Sequence, residues 1–174
     1  MLVLALLARS ARFRNWVRSL DLRTLTLLQT WRAVGLAFLA LWSVGALPGG
    51  FALPASYGDV AVGVTAPFVA AFILGRGRAG RVAYLGWTAF GIIDLLAAIT
   101  LGILYSPTSV GVLSGGAAGP GVMGQLPMSL IPTFGVPFTL ALHAISVYAA
   151  WQADWTAPGA RRVATPVGKV AAGR

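Results

Sequence analysis

The sequence predicts an all-α integral membrane protein, a bundle of four transmembrane helices. Three observations carry that prediction. Of its 174 residues 57% are hydrophobic and only 10% charged, less than half the usual charged share of a soluble domain. The mean hydropathy is +0.81. Apolar runs recur that reach or approach the roughly 20 residues a helix needs to cross a bilayer. These runs are rich in Ala, Leu and Gly and do not alternate, so they read as helices, which satisfy their own backbone groups in lipid.

Residues 1–8, MLVLALLA, are apolar but too short to span. Arg9, Arg12, Arg14 and Arg18 follow them. A secretory signal has the opposite order, charge before the apolar stretch. The stretch therefore reads as a membrane-dipping anchor or as the stub of a further helix. Within residues 11–22, Phe13, Trp16, Val17 and Leu20 share one helical face, with Arg12, Arg14 and Arg18 off it. That is the pattern of a short amphipathic helix at the membrane interface. The first span is expected over residues 25–47, stopped by Leu47-Pro48-Gly49-Gly50. The second follows Pro54 and covers 55–74. A short loop with Arg76, Arg78 and Arg81 leads to the third, 83–105. Residues 106–127 are uncharged and rich in Gly and Pro, so they are expected to be irregular and mobile. The fourth span covers 128–151, with a kink or break where Pro132, Gly135 and Pro137 fall. The spanning domain is thus 25–151, preceded by residues 1–24 and followed by 152–174, a basic tail expected to be disordered.

The net charge is +9, and its distribution decides what it means. All Lys and Arg lie at the N-terminal side, in the 75–82 loop or in the tail, and the loops at 48–54 and 106–127 carry none. The positive-inside rule then predicts a multi-pass inner-membrane protein with both termini cytoplasmic. Arg12, Arg14, Arg18, Arg76, Arg78 and Arg81 are expected to meet anionic lipid headgroups, and no nucleic-acid partner is expected.

Four ionisable groups fall inside or near the spans: Arg32, Asp59, Asp94 and His143. A charge at mid-bilayer costs about 2.5–3.5 kcal/mol even on the lower scales, so such groups should face the interior and find partners. Depth along the helices suggests a central cluster of Arg32, Asp94 and His143. Asp59, about four residues into the expected second span, belongs at the external mouth or caps that helix. Small residues mark the packed faces: Gly91 and Ala98 beside Asp94, and Gly63, Ala66 and Ala70 below Asp59. On the fourth span Thr139, His143, Ser146 and Ala150 form a small, partly polar stripe. Plainer roles exist for each. Arg32, with Gln29, could snorkel to headgroups. His143 could be a neutral core histidine. An Arg32–Asp94 pair could only fix packing.

The chain has no Cys and one His. Thiolate sites and His-pair ligation within one chain are therefore excluded, and neither metal nor cofactor is expected. Met123 and Met128 have no His nearby for copper. No phosphate loop, HExxH or CxxC occurs. The segment LPGGFALPASYGDVAVGVTAPFVAAF resembles small uncharacterised bacterial membrane proteins, which implies no activity. Three readings remain. One is a non-enzymatic subunit or accessory of a membrane assembly, which the short loops and few polar groups favour. The next is a small oligomeric proton- or cation-coupled carrier or channel using Asp94 and His143. The third, with the thinnest support, is a membrane enzyme with these two as acid and base.

Overall fold

The computed structural model describes residues 2–114 and 121–156. Six helices carry the fold: α1 (Leu2–Arg9), α2 (Ala11–Ser19), α3 (Leu22–Ser43), α4 (Gly49–Phe72), α5 (Gly77–Leu104) and α6 (Ile131–Gln152). The last four are long and apolar enough to cross a membrane, and the protein is a membrane-spanning helical bundle.

Ser10 starts α2, its hydroxyl accepting from the Phe13 N–H at 3.1 Å. Val17 is buried and Phe13 and Leu20 pack on the same core, while Trp16 stays half exposed. The apolar stripe is therefore divided between the bundle and its surroundings. Arg14 lies over the end of α1 and donates to the carbonyls of Leu7 and Ala8, each at 3.1 Å. It caps a helix C-terminus.

The first span begins at Leu22, three residues before the expected start. Asp21 caps it, accepting from the Arg23 N–H and the Thr24 hydroxyl, each at 3.2 Å. Its middle, Leu28–Gly35, winds as a 3₁₀ helix. Three residues per turn put i, i+3 and i+6 on one line. Gln29, Arg32 and Gly35 occupy that line, and they are the buried residues of the stretch. The span ends at Ser43, and Gly45, at a φ of 73°, makes the turn that follows.

The second span starts at Gly49 rather than 55, with Pro54 and Pro67 inside it. Pro54 lacks an N–H for the carbonyl of Gly50, a loss of one bond near the helix start. The third starts at Gly77 rather than 83. Gly75 and Gly77, with φ of 85° and 60°, turn the chain tightly enough that Arg78 and Arg81 lie on the helix itself. The guanidinium of Arg81 sits 4.5 Å over the Trp151 ring, again a contact within the protein. The fourth span opens with a π turn, Ile131–Gly135, at the expected break, and continues as an α-helix over Val136–Gln152.

Residues 105–114 and 121–130 form turns and a short 3₁₀ segment, Gly121–Gly124. The rest of that connection, 115–120, lies outside the described residues. So does the expectation of disorder for 157–174. Residues 153–156 depart from it. Trp155 is buried, its indole N–H donates to the Ala150 carbonyl at 2.9 Å, and its own carbonyl accepts from the Gly77 N–H at 2.8 Å. The ring lies 5.6 Å from that of Tyr84. The chain after α6 therefore folds back onto the start of α5.

The spans run up and down, with α4 packed on α3 and α5. Two apolar cores result. Val17, Leu22, Leu25, Tyr84, Leu142 and Trp155 build one at the end that carries the arginines. Phe38, Leu47, Phe51, Ala52 and Ala55 build the other at the charge-free end. A polar layer separates them.

Candidate functional site in the polar layer

Arg32 organises the layer. Its side chain is 1% exposed and reaches all three other spans. Nε donates to Oδ1 of Asp59 on α4 at 2.6 Å, and Nη2 pairs with Oδ2 of Asp94 on α5. Nη1 donates to the Gly91 carbonyl at 3.3 Å and meets Nε2 of His143 on α6, also at 3.3 Å. A guanidinium only donates. Nε2 must therefore be the acceptor nitrogen, and the ring proton lies on Nδ1.

Close approach of the spans makes these contacts possible. A Cβ on Gly58 would overlap the Asp94 carboxylate, and one on Gly91 would lie 2.8 Å from the His143 ring and 3.0 Å from Nη1 of Arg32. Only hydrogen fits at either position. Ser56 adds a direct tie, its hydroxyl donating to the Gly35 carbonyl at 2.8 Å.

Asp94, Arg32 and His143 thus lie together, and Asp59 joins them. The expected place for Asp59, at the mouth or in the cap, followed from starting the second span at 55. With the helix beginning at Gly49, Asp59 lies ten residues in, at a depth of about 15 Å. Pro48, not Asp59, occupies the cap position. The ionised cluster holds one positive and two negative groups, an excess of one negative charge.

An apolar groove of about 1180 Å³ borders this cluster, between α5 and α6. Ile92, Leu95 and Ile99 line one wall and Leu140, Ala144 and Val147 the other. Leu2 to Leu4 and Met123 also line it. Among the described residues, Asp59 is the ionisable side chain that reaches the groove.

The family model described as Domain of unknown function (DUF8737) matches residues 1–150. The chain belongs to the DUF8737 family. No curated protein and no solved structure matches it. The DUF8737 region contains the whole charged cluster, both walls of the groove and α1; Trp155 lies beyond it.

A second polar group lies in this region, towards the arginine-bearing end. Thr26, Gln29, Tyr84, Thr88 and Ser146 are all buried. The Tyr84 hydroxyl is 3.4 Å from that of Thr26 and lies beside Thr88 and Ser146. Both polar atoms of Gln29, and Thr88 Oγ1, Ser146 Oγ and His143 Nδ1, have no partner among the described residues. Sequence reasoning misses Thr26, Tyr84 and Thr88. Their signal is spacing: Thr26, Gln29 and Arg32 recur every third residue, and Tyr84, Thr88 and Gly91 follow the helical period. Among the described residues no three His, Cys, Asp or Glu side chains form a metal-ligand set. Arg12, Arg18, Arg76 and Arg78 are exposed at the bundle end.

Proposed function

We propose that this membrane protein is a small carrier coupled to a proton, with Asp59 and Asp94 as the carboxylates that exchange it. One observation carries the reading: the buried cluster has two carboxylates for one guanidinium. A pair that only fixed packing would be balanced, one Arg with one Asp. One proton, or one bound cation, makes the cluster neutral. The carboxylate that takes the proton loosens its hold on Arg32, so the tie from α3 to α4 or to α5 weakens with it. The 3₁₀ stretch of α3 and the π turn of α6 are the parts of the spans where backbone bonding can readjust. Neutral His143 and the buried hydroxyls beside it offer groups for proton passage towards the arginine-bearing end. Compared with the accessory-subunit reading, this one gives the excess carboxylate a purpose.

Purified protein in liposomes loaded with a pH-sensitive dye should dissipate an imposed pH gradient faster than empty liposomes. Asp94→Asn should lose that flux while keeping its elution profile in detergent. Exchange of Na⁺ for K⁺ on both sides tests for a metal-cation dependence. Folded protein with no flux, co-purifying with a stable partner, would defeat the carrier reading and favour the accessory subunit.

The orientation belongs to the same proposal: the arginine-bearing end faces the cytoplasm, where Arg12, Arg18, Arg76 and Arg78 meet anionic headgroups. The absence of cysteine from the chain makes a direct test simple. In intact cells a membrane-impermeant maleimide should label Ser109→Cys and leave Arg78→Cys unlabelled until the cells are opened. The reverse pattern would invert the topology.

A further inference from the structure

The groove between α5 and α6 joins an apolar interior to a single acidic group. Its walls are aliphatic along both helices, and Asp59 is its ionisable member. Asp59 engages Arg32 through Oδ1, and no described hydrogen bond uses its Oδ2. The side chain remains 14% exposed although it lies deep in the bundle. Arg32, by contrast, is 1% exposed and does not reach the groove wall. Leu96 and Ile103 of α5 line the groove and are also exposed. The groove therefore opens sideways, towards the space lipid occupies around a spanning bundle.

We infer that this groove binds a lipophilic organic monocation, with its apolar body between α5 and α6 and its positive group against Asp59. The charge of the occupant follows from complementarity. The cluster formed by Arg32, Asp59, Asp94 and His143 carries one surplus negative charge when both carboxylates are ionised, and one positive group balances it. An anion would meet that surplus with no basic side chain among the described lining residues to offset it. A small metal cation requires several oxygen ligands, and the groove wall supplies one carboxylate. A weakly hydrated organic cation loses little on leaving water and brings its own apolar surface to the walls. At about 1180 Å³ the space is ample for a molecule of ordinary ligand size. As a binding site the inference stands on the groove. As the cargo of a carrier it rests on the reading above, with proton and organic cation exchanging for the same negative charge.

The test compares tetraphenylphosphonium with tetraphenylborate, ions of one shape and opposite charge. Equilibrium dialysis is performed on the protein in a neutral maltoside detergent, with protein-free micelles subtracted. Expected is saturable binding of the phosphonium at one per chain and none of the borate. Asp59→Asn should weaken phosphonium binding by more than about tenfold, as loss of a buried charge partner does. Ala144→Trp fills the groove from its α6 wall without altering a charge and should weaken it as strongly. Circular dichroism and elution profile establish that each variant is folded. The inference is overturned if the borate binds equally, if folded Asp59→Asn binds the phosphonium unchanged, or if folded wild-type protein binds neither. It is also overturned if native mass spectrometry places a second copy or a retained phospholipid on wild-type protein and not on Ala144→Trp. Phosphonium binding with no proton flux even when the phosphonium is supplied to the liposomes would leave the site and remove the carrier. Flux without phosphonium binding would leave the carrier and remove this cargo.

Discussion

Arg32→Met is expected to destabilise the bundle by about 3–5 kcal/mol, the range seen when one partner of a buried ion pair is removed. The substitution keeps an apolar stem but deletes the cation that pairs with both carboxylates of the layer. Asp59 and Asp94 would be left facing each other without a counter-charge. The Gly91 carbonyl and Nε2 of His143 would lose their donor as well. Unfolding by SDS titration in mixed micelles reads the loss directly. A triple variant separates charge imbalance from lost packing: Arg32→Met combined with Asp59→Asn and Asp94→Asn. With all three charges gone the layer is neutral, and much of the stability should return, because replacing a whole buried ionic set is often nearly neutral. If Arg32→Met alone were as stable as the parent, Arg32 would not hold the spans together.

Gly58→Ala is expected to lower stability by about 1–3 kcal/mol, the cost of overpacking a tight interior. Helix propensity argues for the opposite sign, since Ala in place of a mid-helix Gly normally gains about 0.5–1 kcal/mol. The two arguments differ in what surrounds the site. A methyl at Gly58 would occupy the space of the Asp94 carboxylate, so Asp94 must leave its place on Arg32. Gly86, on α5, has nothing within 4 Å of a Cβ built on it, and there propensity should win. Gly86→Ala is therefore the matched control, neutral or slightly stabilising. The same SDS titration decides. A stabilised Gly58→Ala would mean that α4 and α5 are not in such close contact around Asp94.

The number and order of the spans were legible because hydropathy over some twenty residues is a strong average that single residues do not upset. Their starts were less so. Pro54 and the run of arginines at 76–81 read as breaks, yet a helix passes through Pro54 and another begins at Gly77, inside the arginine run. That displaced the second span by six residues and Asp59 by about 9 Å, enough to place it at the mouth rather than on Arg32. Arg32, Asp94 and His143 stood out because an ionisable group within an apolar span is costly unless it has a partner or a task. The 3₁₀ winding of Leu28–Gly35 was hidden, since its composition suits an α-helix equally well. The hydroxyls of Thr26 and Thr88 gave no warning, because threonine can bond its own helix backbone and need not signal a partner. Trp155 lay in a stretch of Ala, Pro, Gly and Arg whose average masked it.

The contacts of Arg32 also set an order on biosynthesis. Its partners lie 27, 62 and 111 residues later in the chain. The first span must therefore enter the membrane with its cation still alone, held near the headgroups by its long side chain. Asp59 arrives first and can draw it inward as a hairpin of two spans. The translocation machinery then delivers Asp94, and His143 last. Assembly of the layer is complete only when the last helix is inserted, so a nascent chain stopped before α6 carries a donor N–H of the guanidinium still open to its surroundings.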